Sequence, residues 1–472
     1  MAARRSAIYT QSMNSPRDYL DQLARFAGET PYDAVPAAVL TRTKEILVDS
    51  LPVYATGMRA PELLALCDKQ LASAAPGRAW VIGAGRTCNP LDAAMLNGIA
   101  GAWLDFDEGN FLANGHPGMQ VIPAALAVAQ ERGVSGRELL ATIALAYEVV
   151  ARIGMATKVK LIINPHGTFG VVGAALAVAR LSGMAPEKLR NLASLAASAC
   201  VATNRHTMLD GATVRNWYAG HSGFMGQMAV RLAEAGFSGP SDGVNTTFSL
   251  VLGDGFDSQT AIAGLGERWL LNEGYIKLYP TARYVHSAID ALFDALEKVS
   301  GNVADAANGG RLKAADIERI DVRAYGLAAY LSNQQPKDWF GTRFSIPFAL
   351  ATLIVGGRDG LAAFSDDAVA DASLMALAKK VEVVEDEAFT AAYPAQQRVD
   401  LVIRLRDGGS IAGRCDITSG EPARPHAPEL LTRKYRDLAE PLWGAARAVQ
   451  LREALMQIES CTDVGRLVDF NL

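Results

Sequence analysis

The side chains best suited to chemistry begin in one segment, Trp103 to Pro123. Asp105, Asp107 and Glu108 follow an apolar stretch, and a loop rich in glycine and asparagine then leads to His116. Carboxylates near a histidine, on a loop between two helices, can orient the imidazole and raise its basicity. A surface loop whose acids only cap helices would have the same composition, so other segments must decide.

A second histidine, His166, stands in the glycine-rich segment Asn164 to Gly170. These glycines fall where a helix is expected to begin, so backbone N–H groups and the positive end of the helix dipole could face an anion. The pattern is not G-x-G-x-x-G and no second strand ending in an acid follows, which argues against dinucleotide binding. Close packing of two helices would explain the glycines, but it explains His166 less well.

Cations occur in two further segments. Arg215 lies near the head of a predicted helix, and Lys277, Arg283 and His286 fall within ten residues where helical sequence gives way to mixed sequence. Arginine binds carboxylates in a planar fork, and pockets favour domain boundaries. The pattern predicts a binding site for an anionic substrate. The alternatives are a surface pair of Arg215 with Asp210 and a solvated charged turn at 277–286.

Together these residues suit proton abstraction beside a carboxylate. A histidine would take the proton, and cations would stabilise the negative charge that develops. The sequence has no phosphate-binding loop, nucleophile elbow or H-E-x-x-H motif. Asp105, His116 and His166 could in principle bind a metal, but they show no recognised ligand spacing.

Composition narrows the class of protein. The 472 residues carry a net charge of −5 without a basic run, which argues against nucleic-acid binding. Five scattered cysteines without a C-x-x-C pair indicate reduced thiols and a cytoplasmic location. The N-terminus lacks an apolar signal region, and no apolar run approaches the ~20 residues needed to span a bilayer. A soluble protein is predicted.

The periodicity predicts helices from Arg17 to about Leu271, including one over 137–153 that opens after Ser135-Gly136. Only the short segments 79–83 and 159–163 resemble strands there. Past Lys277 the pattern changes. We predict strands at the start of 317–331 and at 381–389, and a hairpin over 398–418 that turns at Asp407-Gly408-Gly409.

Several motifs follow one another in the order found in the MmgE/PrpD family, which the chain resembles over nearly its whole length. They are LDFDE…GHPG (104–118), GVSGRELLATIALAYEVVARIG (133–154), HGTFGVVGAALAVARLSGM (166–184), the DG…R…AG segment (210–220), KLYP…R…H…AID (277–290) and RFSIPFALA (343–351). The resemblance implies a mainly α fold: a large all-α domain (1–275 and 426–472) and a smaller α+β lid (276–425). It also implies an active site between the two, a homodimer, and no cofactor or metal.

Site residues can be carried over from the resemblance position by position. Asp105 and His116 match the family's acid and its histidine, Lys277 matches the lysine of K-P-Y-P, and Tyr330 matches a lid tyrosine. The departures are Asn164 in place of a histidine, Arg215 for a lysine, Ala282 for a cysteine, Gly118 for a serine and Gly109 for a threonine. They suggest a substrate other than methylcitrate.

The resulting hypothesis is a cofactor-independent lyase acting on a small di- or tricarboxylate, of the 2-methylcitrate dehydratase type. The alternatives are an iminodisuccinate epimerase-like enzyme, a cis-aconitate-type decarboxylase and an inactive scaffold. The predicted catalytic residues are Asp105, which would orient His116, together with His116, His166, Lys277 and Tyr330. The predicted substrate-binding residues are Arg215, Arg283 and His286.

Overall fold

Helices dominate the computed structural model, which describes residues 18–300, 312–356 and 360–466. The predicted mainly α fold is confirmed. The helices of five or more residues discussed below are α1 (Tyr19–Glu29), α2 (Ala37–Met58), α3 (Pro61–Leu71), α4 (Pro90–Trp103), α5 (Pro117–Arg132), α6 (Gly136–Ala156), α7 (Phe169–Ser182), α8 (Pro186–Ser198), α9 (Val214–Glu234), α10 (Ser258–Ile262), α11 (Arg283–Ser300), α12 (Ile346–Gly356), α13 (Asp366–Ala370), α14 (Ala372–Ala378), α15 (Glu387–Ala392), α16 (Pro428–Trp443) and α17 (Ala445–Met456).

The strands are short outside the second half of the chain. They are β1 (Ala79–Val81), β2 (Arg86–Cys88), β3 (Thr157–Val159), β4 (Ile163–Asn164), β5 (Thr203–Asn204), β6 (Gly253–Phe256), β7 (Ile317–Ala324), β8 (Val381–Glu385), β9 (Val399–Leu405) and β10 (Ser410–Cys415). The predicted strand over 159–163 is wrong as a single element: β3 pairs with β6, whereas β4 pairs with β5.

Buried apolar residues form two main clusters. The first runs from Tyr19 to Leu271 and is rejoined by residues between Tyr435 and Val464, because α16 and α17 pack on α2. Its central helix α6 begins where predicted, since the Ser135 side chain accepts a hydrogen bond from the Glu138 N–H. Among the described residues only α6 is long and apolar enough to cross a bilayer, and 94% of that stretch is buried inside the protein.

The second cluster joins Met208 to residues between Ala282 and Cys415. It is built on a four-stranded sheet of order β10-β9-β7-β8, in which β7 and β8 are parallel and the other pairs antiparallel. The predicted hairpin is β9–β10, and α11 packs across it. The two clusters support the division into 1–275 with 426–472 and 276–425, which stays a prediction.

The loop between α4 and α5 carries the acids and ends at His116. Gly109 forms an antiparallel bridge with Tyr275, which ties the loop to the start of the second half of the chain. Asn114 adopts a left-handed backbone (φ 53°) and donates a hydrogen bond to the Gly154 carbonyl of α6. A Cβ atom at Gly154 would lie 2.1 Å from the Ala113 carbonyl oxygen, so this close approach requires glycine.

We expect Gly154→Ala to push the loop that carries His116 away from α6. Because backbone, not a flexible side chain, blocks the added methyl group, the loss of unfolding free energy should be about 1–3 kcal/mol. Urea unfolding measures this loss. Gly360→Ala is the matched control, since nothing lies within 4 Å of a Cβ added there. Equal stability of the two variants would contradict the packing argument.

Candidate active site

A cleft collects most of the predicted site residues. Its lining includes Asp105, His116, His166, Arg215, Lys277 and Arg283, and its empty volume with the mouth included is about 570 Å³. The first-cluster loops form one side, while Phe344 and Tyr393 from the second half of the chain form the other. Residues separated by more than a hundred positions therefore share one cavity, as the hypothesis requires.

Asp105 lies between two cations. Its Oδ1 accepts a hydrogen bond from Arg215 Nη2 at 2.7 Å, and its Oδ2 accepts one from Lys277 Nζ at 3.1 Å. Burial opposes ionisation of Asp105, but Lys277 and then Arg215 hold the pKa of this carboxyl below its usual value. Arg215 thus does not pair with Asp210 at the surface: it is buried and bonded to the acidic loop.

Asp107, not Asp105, is the acid beside His116. The His116 Nδ1 atom lies 2.8 Å from Asp107 Oδ2 and 2.6 Å from the Glu108 carbonyl oxygen. Both neighbours are acceptors, so Nδ1 carries a hydrogen and Nε2 is left to accept a proton. The predicted role of Asp105 in orienting His116 is therefore wrong. Although burial opposes it, His116 and Lys277 lower the pKa of Asp107 and keep it ionised.

His166 lies edge-on to His116, with the two ring centroids 4.9 Å apart. It is buried, and neither ring nitrogen has a hydrogen-bond partner among the described residues. Burial, together with the charge of Arg215, lowers its pKa well below the usual value. His166 is therefore a neutral imidazole, which suits an acceptor better than an acid. Asn164 accepts a hydrogen bond from the His166 backbone N–H at 3.1 Å and so fixes the loop.

Five buried or half-buried side chains bind carbonyl groups of segment 102–108, which we call the acid loop. Asp105 itself has a left-handed backbone, with φ 49°. The donor-to-carbonyl distances are Arg215 to Ala102 3.3 Å, Arg343 to Leu104 2.7 Å, Lys277 to Asp105 2.9 Å, Lys434 to Phe106 2.9 Å and His116 to Glu108 2.6 Å. The sequence analysis missed Lys434 and the role of Arg343, because nothing local to either residue indicates a partner so far along the chain.

Two predicted site residues do not line the cleft. His286 lies behind Arg283, whose Nη1 donates to His286 Nδ1 at 3.1 Å, and it borders a different cavity. Tyr330 is 38% exposed, and its hydroxyl lies 3.3 Å from His206 Nδ1. The expected direct contact of either residue with substrate has no support in this arrangement.

Other lining residues were missed by the sequence analysis. They include Arg205, Tyr275, Tyr284 and Tyr393. Arg205 occurs in a short polar connection without periodicity, which looks the same in sequence whether it faces solvent or a cleft. Within the described ranges no group of three His, Cys, Asp or Glu side chains could hold a metal ion.

Fold and site together define a two-part, mainly α protein with an acid–base cleft lined by cations. The family models agree: the MmgE/PrpD N-terminal domain matches residues 21–253 and the MmgE/PrpD C-terminal domain matches 279–459. The chain belongs to the MmgE/PrpD family.

Named relatives fall into two groups. The chain is similar to cis-aconitate decarboxylase of Aspergillus terreus, with 23% identity over 97% of this chain and 96% of the relative. The Homo sapiens cis-aconitate decarboxylase is 24% identical over 80% of this chain and 79% of the relative. The 2-methylcitrate dehydratase of Cupriavidus necator is 25% identical over 80% of this chain and 81% of the relative.

We expect Asp107→Asn to lower the rate of proton abstraction by about 10²–10⁴-fold, because the amide no longer stabilises the imidazolium of His116. Asp105→Asn should act differently, since it leaves Arg215 buried without a carboxylate and leaves Lys277 with only the more distant Asp107, 3.7 Å from its Nζ, and so destabilises the fold. Single-turnover rates and thermal unfolding of both variants separate the two effects. An Asp107→Asn enzyme with an unchanged rate would remove Asp107 from the mechanism.

Glu108 gives a pH prediction. Burial, reinforced by Asp107, raises its pKa from 4.5 to about 7, although Tyr147 and the Gly118 N–H donate to it. Because its pKa is raised in the folded state, protonated Glu108 favours the folded protein. This contribution to the free energy of unfolding is at most about 3 kcal/mol; it is complete below about pH 4.5 and is lost as the pH rises through about 7.

Glu108→Gln should flatten the dependence of unfolding free energy on pH between about 4.5 and 7. Urea unfolding at several pH values measures it, with the exposed Glu187→Gln as control. Parallel curves for Glu108→Gln and the wild type would show that Glu108 does not titrate in this range.

Proposed function

We propose that this protein is a lyase that acts on a small tricarboxylate, removing a proton from a carbon beside a carboxylate as a 2-methylcitrate dehydratase would. One observation carries the proposal. His116 has its Nδ1 against Asp107 and its Nε2 unbonded among the described residues, and it shares a cleft with the Arg215–Asp105–Lys277 cluster. A base and an anion-stabilising pair of cations are the two parts that this chemistry needs.

The proposed sequence of events begins with His116 Nε2 taking the proton. The electron pair of the broken C–H bond moves into the adjacent carboxylate, whose charge Arg215 and Lys277 stabilise. The pair then returns to form the carbon–carbon double bond as the β-hydroxyl leaves. Lys277 Nζ donates two hydrogen bonds to Asp105, so its third hydrogen can go to the hydroxyl, which departs as water.

A decarboxylase is the second candidate. The Aspergillus terreus cis-aconitate decarboxylases align with 95–97% of this chain, whereas the 2-methylcitrate dehydratases align with 73–80%. Loss of carbon dioxide leaves a carbanion of the same kind, which the imidazolium of His116 would protonate. We include in the proposal the homodimer and the absence of a cofactor that the family resemblance implies, and the cytoplasmic location that the cysteine pattern predicts.

The test is incubation of the protein in D₂O with methylcitrate, citrate, cis-aconitate and iminodisuccinate, followed by proton NMR. Loss of water supports the dehydratase and release of carbon dioxide the decarboxylase. Exchange of the α-hydrogen without net change would show an epimerase instead. No exchange and no product with any compound would overturn the proposal and favour an inactive scaffold.

His116→Ala should abolish whichever reaction is found, by about 10²-fold or more, because no other imidazole has an aspartate at Nδ1 in the described cleft. Circular dichroism and thermal unfolding check that the variant is folded. An active, folded His116→Ala protein would exclude His116 as the base.

A further inference from the structure

Four lysine or arginine side chains line the cleft, and three of them have a carboxylate. Arg215 and Lys277 share Asp105, and Arg283 binds Glu421 at 2.7 Å. The fourth, Arg205, forms no ion pair with any carboxylate in the described part of the chain. It is the cleft cation whose charge is left for a ligand to neutralise.

The position of Arg205 is set by the loop that carries His166. Its backbone N–H donates to the Ile162 carbonyl at 2.8 Å, and its Nε donates to the Ile163 carbonyl at 3.0 Å. The residue is 9% exposed, so the loop holds the guanidinium against the cleft and not out in solvent. One of its five N–H groups is bonded within the described residues, which leaves the outer edge of the fork for an anion.

Tyr393 supplies a donor from the other half of the chain. It also lines the cleft, and its ring stacks on Tyr325 with centroids 5.1 Å apart. Its phenol oxygen makes no hydrogen bond within the described ranges. Burial raises the pKa of Tyr393 well above its usual value, and Tyr393 lines the same cleft as Arg205. The phenol stays protonated and can donate.

We propose that Arg205, with the Tyr393 hydroxyl, binds a carboxylate of the substrate that is not the carboxylate at the reacting carbon. The inference rests on the proposed function, which it deepens: it predicts a substrate with at least one carboxylate beyond those held by Arg215 and Lys277. A dicarboxylate would leave Arg205 unneutralised in the closed cleft, which costs binding energy.

The test compares two ligands that differ by one carboxylate and lack a leaving hydroxyl, tricarballylate and glutarate. Isothermal titration calorimetry on the full-length protein gives both affinities. The wild type should bind tricarballylate about tenfold or more tightly than glutarate, the worth of one charge-assisted hydrogen-bond pair. Arg205→Met should reduce this ratio to about threefold or less through weaker tricarballylate binding, and Arg205→Lys should give an intermediate ratio.

Arg231→Met, at an exposed arginine of α9, is the matched control and should keep the wild-type ratio. Tyr393→Phe should lower the ratio less than Arg205→Met does. If folded Arg205→Met and Arg205→Lys both keep the wild-type ratio, the subsite is wrong while the proposed function stands. If the wild type binds neither ligand and exchanges no α-hydrogen of the compounds tested in D₂O, both the proposed function and the Arg205 subsite are wrong.

Discussion

Buried cations bonded to the carbonyls of the acid loop are the constraint on which the rest of this site depends. The donors come from four distant parts of the chain: Arg215 on α9, Lys277 at the start of the second half, Arg343 before α12 and Lys434 on α16. Burial lowers the pKa of Lys434, and Asp49, 2.7 Å from its Nζ, opposes that lowering. Burial also lowers the pKa of Arg343, to about 10. Removing any of these cations would leave a buried carbonyl without its donor, and removing Lys434 would also leave Asp49 without its ion pair. The loop conformation is therefore set by the assembled fold and not by its local sequence.

That conformation divides two carboxylates between two tasks. Asp105 and Asp107 are separated by one residue, so an extended strand would direct both side chains to one face. The left-handed backbone of Asp105 breaks this alternation. Asp105 then faces Arg215 and Lys277, while Asp107 faces His116. In the proposed mechanism, one acid holds the cations that stabilise the developing anion, and the other holds the imidazole that creates it. The strained backbone of Asp105 persists because Arg215, Arg343 and Lys434 fix carbonyls on either side of it.

The sequence was informative about elements and about which residue types would meet, and less so about their roles. Period and turn chemistry predicted α6 and the β9–β10 hairpin, because both signals are local. Motif order placed His116, Arg215 and Lys277 in one cleft. That Asp107 and not Asp105 lies beside His116 was not predictable, since spacing does not reveal the sign of φ. Lys434 binds a carbonyl 328 positions away, a pairing that no local pattern encodes. His286 was placed in the site for its closeness to Arg283, but on α11 it is one turn further on and turns away from the cleft.

The departures from the family motifs at Gly109 and Gly118 have a common structural reason. A Cβ atom at Gly109 would lie within 2.4 Å of the Tyr275 hydroxyl, and one at Gly118 would lie 2.6 Å from Glu108 Oε1. The space that a threonine and a serine would need is thus occupied by Tyr275 and Glu108, and neither glycine can change without its neighbour. Tyr275 lines the cleft, and the Arg283 guanidinium carbon lies 4.3 Å from the centroid of the Tyr275 ring. The two replaced positions therefore adjoin the segment that holds His116, whose Nδ1 contacts the Glu108 carbonyl. Because Tyr275 extends this change to the lining of the cleft, we expect it to alter which substrate fits while His116 and Asp107 keep their contact.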